Sequence, residues 1–233
     1  MSLMNTLINR RTIEPPKIIV YGEPGVGKTT LAAQARALLI DCENGAGTIP
    51  GLHRTPYLKS WPEMRAWLAE IPNNSPEGCQ AVAIDTLDWM ITRIIDHVVM
   101  DLDGDQSITN TLGKSHGGYM KGREVALNIV YRELIPMLNA IAASGKALII
   151  LAHAKNEKGT TPEGFERTTA TPDIPLWIRA PFIEWADAVL YAKPDHTLTT
   201  RCTNQILAKN RYQFPAEMPL SWAAIADALT PRQ

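Results

Sequence analysis

The sequence predicts an α/β protein with a mainly parallel sheet flanked by helices and a late antiparallel hairpin. Three observations carry this. Short, continuous β-type or apolar runs recur at residues 17–21, 37–42, 81–85 and 146–152, each bounded by polar residues, as strands buried on both faces are. Stretches with helical spacing lie between them, and strands that alternate with helices build parallel sheets. The last two runs, residues 186–191 and 205–209, have no helical pattern between them and read as the two strands of a hairpin.

Length and composition bound the rest. At 233 residues the chain suits one domain of good size, residues 15–233, behind a polar, loosely held N-terminal segment, residues 1–14. Its 45% hydrophobic and 20% charged content is that of an ordinary globular protein. A net charge of -1 excludes a uniformly basic nucleic-acid binder but leaves room for a local basic patch. Cys42, Cys79 and Cys202 are widely spaced with no C-x-x-C, and read as reduced thiols. No apolar run approaches the ~20 residues of a membrane span, and no signal-peptide core is evident. The expectation is a cytoplasmic protein without a membrane partner.

The elements follow in order. Pro15-Pro16 precedes the first strand, residues 17–21, and the good helix formers of residues 31–36 follow its glycine-rich turn. Residues 37–42 form a buried strand ending in acid, and Gly45, Gly47, Pro50 and Gly51 punctuate a loop. Residues 56–59 read as a short further strand. Ser60-Trp61-Pro62-Glu63 is a capping box with proline in the first turn, starting a helix that runs to about Ile71. Residues 81–85 are the next strand, and Leu87, Met90 or Ile91, Ile94 or Ile95, and Val98 mark a helix after it. Residues 101–122 lack an apolar period and read as a long loop. A helix covers residues 123–144, kinked at Pro136 and ended by Gly145. The strand at residues 146–152 is capped by His153, and residues 154–175 read as a second long polar loop.

One stretch organises the chemistry. Gly22-Glu23-Pro24-Gly25-Val26-Gly27-Lys28-Thr29 fits G-x-x-x-x-G-K-[ST], with a strand before it and a helix after it. Glycines let the backbone curl until its N–H groups face phosphate oxygens, where a Cβ would obstruct. In such a loop the lysine, here Lys28, reaches the β- and γ-phosphates, and the Thr29 hydroxyl takes one Mg²⁺ position; Thr30 extends the cradle. A glycine-rich turn ending by chance in Lys-Thr is the competing reading, and both flanks argue against it. The sequence therefore predicts binding of a nucleoside triphosphate with Mg²⁺.

Ligands of open parallel sheets sit outside the carboxyl ends of the strands, so the polar strand tips should converge on this loop. Asp85 fits the carboxylate that holds Mg²⁺, against a bland reading as a helix N-cap. Glu43 is the candidate to orient an attacking water, or else a solvated loop acid; spacing does not choose. His153 is a candidate γ-phosphate sensor, or a satisfied histidine at a strand end. Lys209-Asn210-Arg211 reads as a charged turn, or as a finger whose Lys209 and Arg211 reach a neighbouring subunit's γ-phosphate.

Residues 22–29, Leu39-Ile40-Asp41-Cys42-Glu43, the Asp85 strand, the His153 strand and Lys209-Asn210-Arg211 occur in the order of the RecA-type core, which the chain resembles over roughly residues 15–215. Its shortness and His153-x-Lys155 look closest to phage nucleotide-binding proteins of the single-strand-annealing recombinase class. The resemblance implies a RecA-like P-loop NTPase fold, with ATP and Mg²⁺ as cofactors and Glu43 activating water. It also implies Lys209 and Arg211 acting in trans within a homo-oligomer that holds ATP at subunit interfaces. Single-stranded DNA, and a single-strand-binding protein, are the implied partners, in a bacterial or phage-infected cell. The chain departs from RecA in having His153 where RecA has glutamine. The two long loops then become the DNA-facing ones: Lys114, Tyr119, Lys121 and Arg123 in the first, Lys155 and Lys158 in the second, tracking a strand by phosphate contact and stacking. Solvated flexible loops are the alternative.

Other functional classes stay open: a RecA-core helicase or helicase loader, a small-molecule kinase, or a non-catalytic module in which ATP orders DNA-binding loops. Asp101-Leu102-Asp103-Gly104-Asp105 resembles a calcium loop but has glycine at the fourth position and no glutamate at the twelfth. The five histidines show no metal-ligand spacing.

Overall fold

The computed structural model describes residues 14–105, 107, 109–160 and 164–230. The expected N-terminal segment, apart from Glu14, lies outside them. Five strands run parallel in the order β2 (Ala37–Asp41), β3 (Ala81–Asp85), β4 (Ala147–Thr160), β1 (Lys17–Gly22) and β6 (Ala188–Ala192). Antiparallel pieces finish the edge: β7 (Thr197–Thr199) pairs with β6 and with β9 (Glu217–Pro219), and β8 (Lys209–Asn210) pairs with β6.

Strand residues alternate between two apolar layers, as a pleat with period two requires. Ile19, Ile40, Val82, Ile84, Leu148 and Ile150 face one layer. It is closed by α2 (Trp61–Glu70), α3 (Leu87–Asp96), the helix pair α4 (Lys121–Ile129) and α5 (Ile135–Ala143), and α6 (Leu176–Trp185). Ile18, Val20, Leu39, Ala83, Ile149 and Leu151 face the other layer, under α1 (Lys28–Gln34) and α7 (Trp222–Leu229). Burial on both faces explains why these strands read as unbroken apolar runs. The capping box is present: Ser60 Oγ accepts from the Glu63 N–H at 3.4 Å, and Glu63 Oε2 accepts from the Ser60 N–H at 3.2 Å.

Several expectations need correction. Residues 154–175 are not a loop. β4 continues past the sheet to Thr160 and pairs antiparallel with β5 (Glu166–Pro172), from Ala154↔Pro172 to Thr160↔Glu166. This arm is polar on both faces, so it lacks the apolar run or alternation that marks a strand. The first long loop is shorter than expected, because a π-helical turn, His97–Leu102, prolongs α3, and α4 starts at Lys121. At Pro136, where the sequence predicts a kink, helical structure continues, and a π-helical stretch, Val130–Leu134, lies just ahead of the proline. Residues 56–59 form no strand, although the segment leading to them runs beside β2, with bonds from Leu39 N to His53 O (2.8 Å) and Thr55 N to Leu39 O (2.9 Å). In the late region Gln205 and Leu207 bond with Ala170 of β5 instead of with β6.

The helical stretch Lys121–Ala143 is, by length and composition, long and apolar enough to cross a membrane, which the run-based reading did not register. Ala126, Val130, Leu134, Leu138 and Ile141 on it are buried in the first apolar layer. Tyr21 links distant parts: its hydroxyl lies 2.9 Å from Ala170 O on the arm and 2.7 Å from Leu207 O.

Candidate nucleotide site

The site begins where β1 ends. A Cβ on Gly22 would lie 2.6 Å from the Ala192 carbonyl of β6, so only glycine lets the two strands meet here. Gly25 and Gly27 have φ of 80° and 101°, the left-handed region that favours glycine. Lys28 is buried at the start of α1, and its ammonium donates to Gly22 O and Glu23 O, both at 2.9 Å. Burial holds its pKa below the ordinary lysine value, against the pull of Asp85, Glu43 and Asp88.

A cleft of about 320 Å³ opens over this loop, lined by Pro24, Gly25, Gly27, Lys28, Thr29 and Thr30 and by Glu43, Asp85 and His153. The three predicted residues therefore meet on the same cleft, Glu43 just past β2, Asp85 at the end of β3 and His153 where the parallel part of β4 ends. Gly45, Thr48 and Ile49 line it too, from the turn after β2, a contribution that sequence reading missed because that turn looks only like a loop. Of the predicted cradle, Gly22 and Glu23 serve through their carbonyls. Val26 is buried, its carbonyl 3.1 Å from His196 Nδ1.

Thr29 Oγ1 donates to Asp85 Oδ2 at 2.9 Å. Burial pushes the Asp85 carboxyl up to about 6, with the Thr29 bond acting the other way. A hydroxyl and a buried carboxylate facing one polar cleft fit a hard, partly hydrated cation such as Mg²⁺. Asp41 beside them is structural: its carboxylate pairs with Arg54 at 3.1 Å and accepts from the Glu43 and Asn44 N–H groups, which shapes the turn carrying Glu43.

His153 is bound by Asp88, a residue the sequence reading overlooked. Asp88 Oδ1 accepts from the His153 backbone N–H at 3.0 Å, and Oδ2 lies 2.8 Å from ring Nδ1. The other ring nitrogen, Nε2, is 3.6 Å from Glu43 Oε1. The Asp88 bond raises the pKa of the ring; burial pulls Asp88 upward, but the bonds from His153 carry it below the usual carboxylate value. The only sequence signal was an acid in the first turn of α3.

Lys209 and Arg211 are not at this cleft. Val189↔Lys209 pairing sets them at the start of β6, whereas Ala192 at its other end adjoins Gly22. Lys209 Nζ donates to Ile183 O and Glu184 O, both at 2.8 Å, and Arg211 lies 3.5 Å from Asp187. Within one chain they stand at the opposite end of the sheet from the Gly22–Thr29 loop.

The expected DNA-facing residues are dispersed over the loop before α4, α4 itself and the arm of β4. Lys114 Nζ reaches Thr109 O at 3.5 Å, Lys121 opens α4, and the Arg123 guanidinium lies 5.5 Å from the Trp177 ring. Tyr119 is 96% exposed, inside residues 116–120, which all have positive φ. On the arm, Lys155 pairs with Asp173 at 3.5 Å. Arg179 donates to Glu157 at 2.9 and 2.6 Å, which puts the Glu157 face toward α6 and Lys158 on the opposite one.

A sequence profile of the AAA domain matches residues 14–212. The chain belongs to the AAA domain family. No curated protein matches it. The matched span of this AAA domain contains β1 through β8, with the whole cleft and the Lys209–Arg211 corner, and leaves out only β9 and α7 among the elements. Membership establishes a P-loop ATPase domain, the broader part of the expected resemblance; it says nothing of phage annealing proteins in particular.

Proposed function

We propose that this AAA domain binds and hydrolyses ATP and couples that cycle to single-stranded DNA, in phage-type recombination or strand annealing. The observation that carries the coupling is the path of β4. One strand bears His153 at the nucleotide cleft and continues without a break into the polar arm with Lys155 and Lys158.

In this reading the loop of residues 22–29 and Lys28 hold the triphosphate, and Lys28 exchanges its two carbonyl partners for phosphate oxygens. Thr29 and Asp85 would hold Mg²⁺, whose charge offsets that of the β- and γ-phosphates. Glu43 orients water toward the γ-phosphorus. Arg211, placed away from its own cleft, serves a neighbouring copy in a homo-oligomer, a role worth 10³–10⁵ in rate where such fingers are known. Tyr119, with Lys114, Lys121 and Arg123 nearby in sequence, and the arm lysines give a stacking ring and cations for a single strand.

The test is ATP turnover with and without single-stranded DNA, across protein concentration. Turnover that rises with DNA and with concentration is expected. Turnover indifferent to both overturns the DNA and oligomer parts, and phosphate transfer to a metabolite would place the protein among kinases.

A further inference from the structure

Asp88 belongs to none of the nucleotide-binding motifs, yet it makes two short bonds to one residue of the site. Its side chain is 15% exposed, on the first turn of α3. It does not line the phosphate cleft; it lines an adjoining cleft of about 510 Å³, with Trp89, Ile95 and Pro175, on which Glu43 and His153 also border. Glu43 and His153 thus form the wall between the two spaces.

An ionised carboxylate only accepts hydrogen bonds, so the contact at 2.8 Å places a proton on Nδ1 of His153. The charged ring, which Asp88 favours, has a proton on both nitrogens and its Nε2–H points at Glu43; in the neutral ring, the form that prevails above the raised pKa, Nε2 is bare and is itself an acceptor. It faces Glu43 Oε1, another acceptor, at 3.6 Å. Two acceptors turned toward each other at that distance do not bond. They are matched to one small molecule with two donors, and water is that molecule.

We propose that Asp88 is a positioning residue that fixes the Nδ1–H tautomer of the neutral His153 ring, so that in this form Glu43 and the bare Nε2 together accept the two O–H bonds of the attacking water. This rests on the ATPase reading of the cleft. Without Asp88 the ring is free to put its proton on Nε2 and donate it to Glu43, which ties the base to the histidine and leaves no place for water. With Asp88 in place, the water oxygen bonds to the γ-phosphorus as the bond to the bridging oxygen breaks. ADP leaves with that electron pair, and Glu43 takes one water proton. The same carboxylate also holds the His153 N–H at 3.0 Å, at the point where β4 leaves the parallel sheet for the arm. Ring and backbone are therefore set by one group.

Asp88→Asn tests this with little change of shape. Its amide oxygen must face the His153 N–H, because the opposite orientation would set an NH₂ group against that donor. The NH₂ group then meets Nδ1, which must become the acceptor, and the ring proton moves to Nε2. Imidazole ¹⁵N spectra of the full-length protein, at alkaline pH where the ring is neutral, read this directly; loss of one signal in His153→Gln assigns it among the five histidines. Wild type should show a protonated Nδ1 and the variant a protonated Nε2. At the same alkaline pH the variant's kcat should fall about 10–100-fold, as when the partner that orients a metal-ligating histidine is lost, with KM unchanged. The same tautomer in both proteins, or an unaltered kcat, overturns the proposal. The spectra report whether or not ATP is turned over, so an inactive wild type would remove the ATPase reading, whereas an unmoved proton would remove the part given to Asp88.

Discussion

Replacing Glu157 by glutamine loosens the arm at a calculable cost. Arg179 is 5% exposed and gives four hydrogen bonds: two to the Glu157 carboxylate, at 2.9 and 2.6 Å, and two to Ile174 O, at 3.1 and 2.7 Å. Glutamine keeps one acceptor, turns an NH₂ group toward an N–H donor, and removes the charge that balances the guanidinium. A hydrogen bond to a charged group contributes about 1.5–3 kcal/mol, and stranding one member of a buried pair costs about 3–5 kcal/mol. Because Glu157 is 33% exposed and water can replace part of the loss, we expect about 2–4 kcal/mol. In a chain of this size that is roughly 4–16 °C in Tm. Arg179 holds the Glu157 carboxyl below its ordinary value. The gap between the two proteins is therefore full at neutral pH and closes as acid titrates that carboxylate. Thermal unfolding measures the global effect, and hydrogen exchange at the β5 amides measures local opening. Equal Tm together with equal β5 exchange would refute the claim that this pair anchors the arm.

Lys28→Ala should abolish ATP binding by calorimetry, and mixing it with Arg211→Ala protein should restore some turnover if Arg211 acts between copies. Glu43→Gln should lower turnover at least tenfold while nucleotide affinity persists; unchanged turnover would remove Glu43 as the water-orienting group. Asp85 is raised to about 6 in the fold, so between that value and its unfolded value of 3.8 folding takes up a proton. The metal-free protein should therefore gain stability from this group as pH falls from 7. Asp85→Asn should raise Tm at pH 7, a gain on the order of 2–3 kcal/mol, while abolishing Mg²⁺-dependent turnover.

How much was legible follows from where the signals are local. The nucleotide loop announces itself because one backbone shape demands glycine at fixed spacing and a lysine directly after. The core strands were readable because burial on both faces leaves only apolar residues. Glu43, Asp85 and His153 could be grouped because parallel strands put their carboxyl ends on one side. The arm escaped notice because Lys155, Asn156, Glu157 and Lys158 carry no alternation; its partner strand and Arg179 stabilise it, and neither is local. The terminal helix α7 went unremarked for want of charged markers. Asp88 was missed because its importance is a distance of 2.8 Å across 65 residues of chain. Lys209 and Arg211 stood out as a charged turn after a late strand, but only the register of β8 against β6 shows which end of the sheet they occupy.

Tyr21 stands one residue ahead of the phosphate loop, and its phenol touches the arm and the stretch leading to Lys209. Its buried ring is a common anchor: the strand that leads into the phosphate loop, the β4–β5 arm and the stretch before Lys209 are joined through one side chain. Losing that one hydroxyl would therefore take a partner from two carbonyls far apart in the chain together, so the arm and the late segment share a fastening to β1.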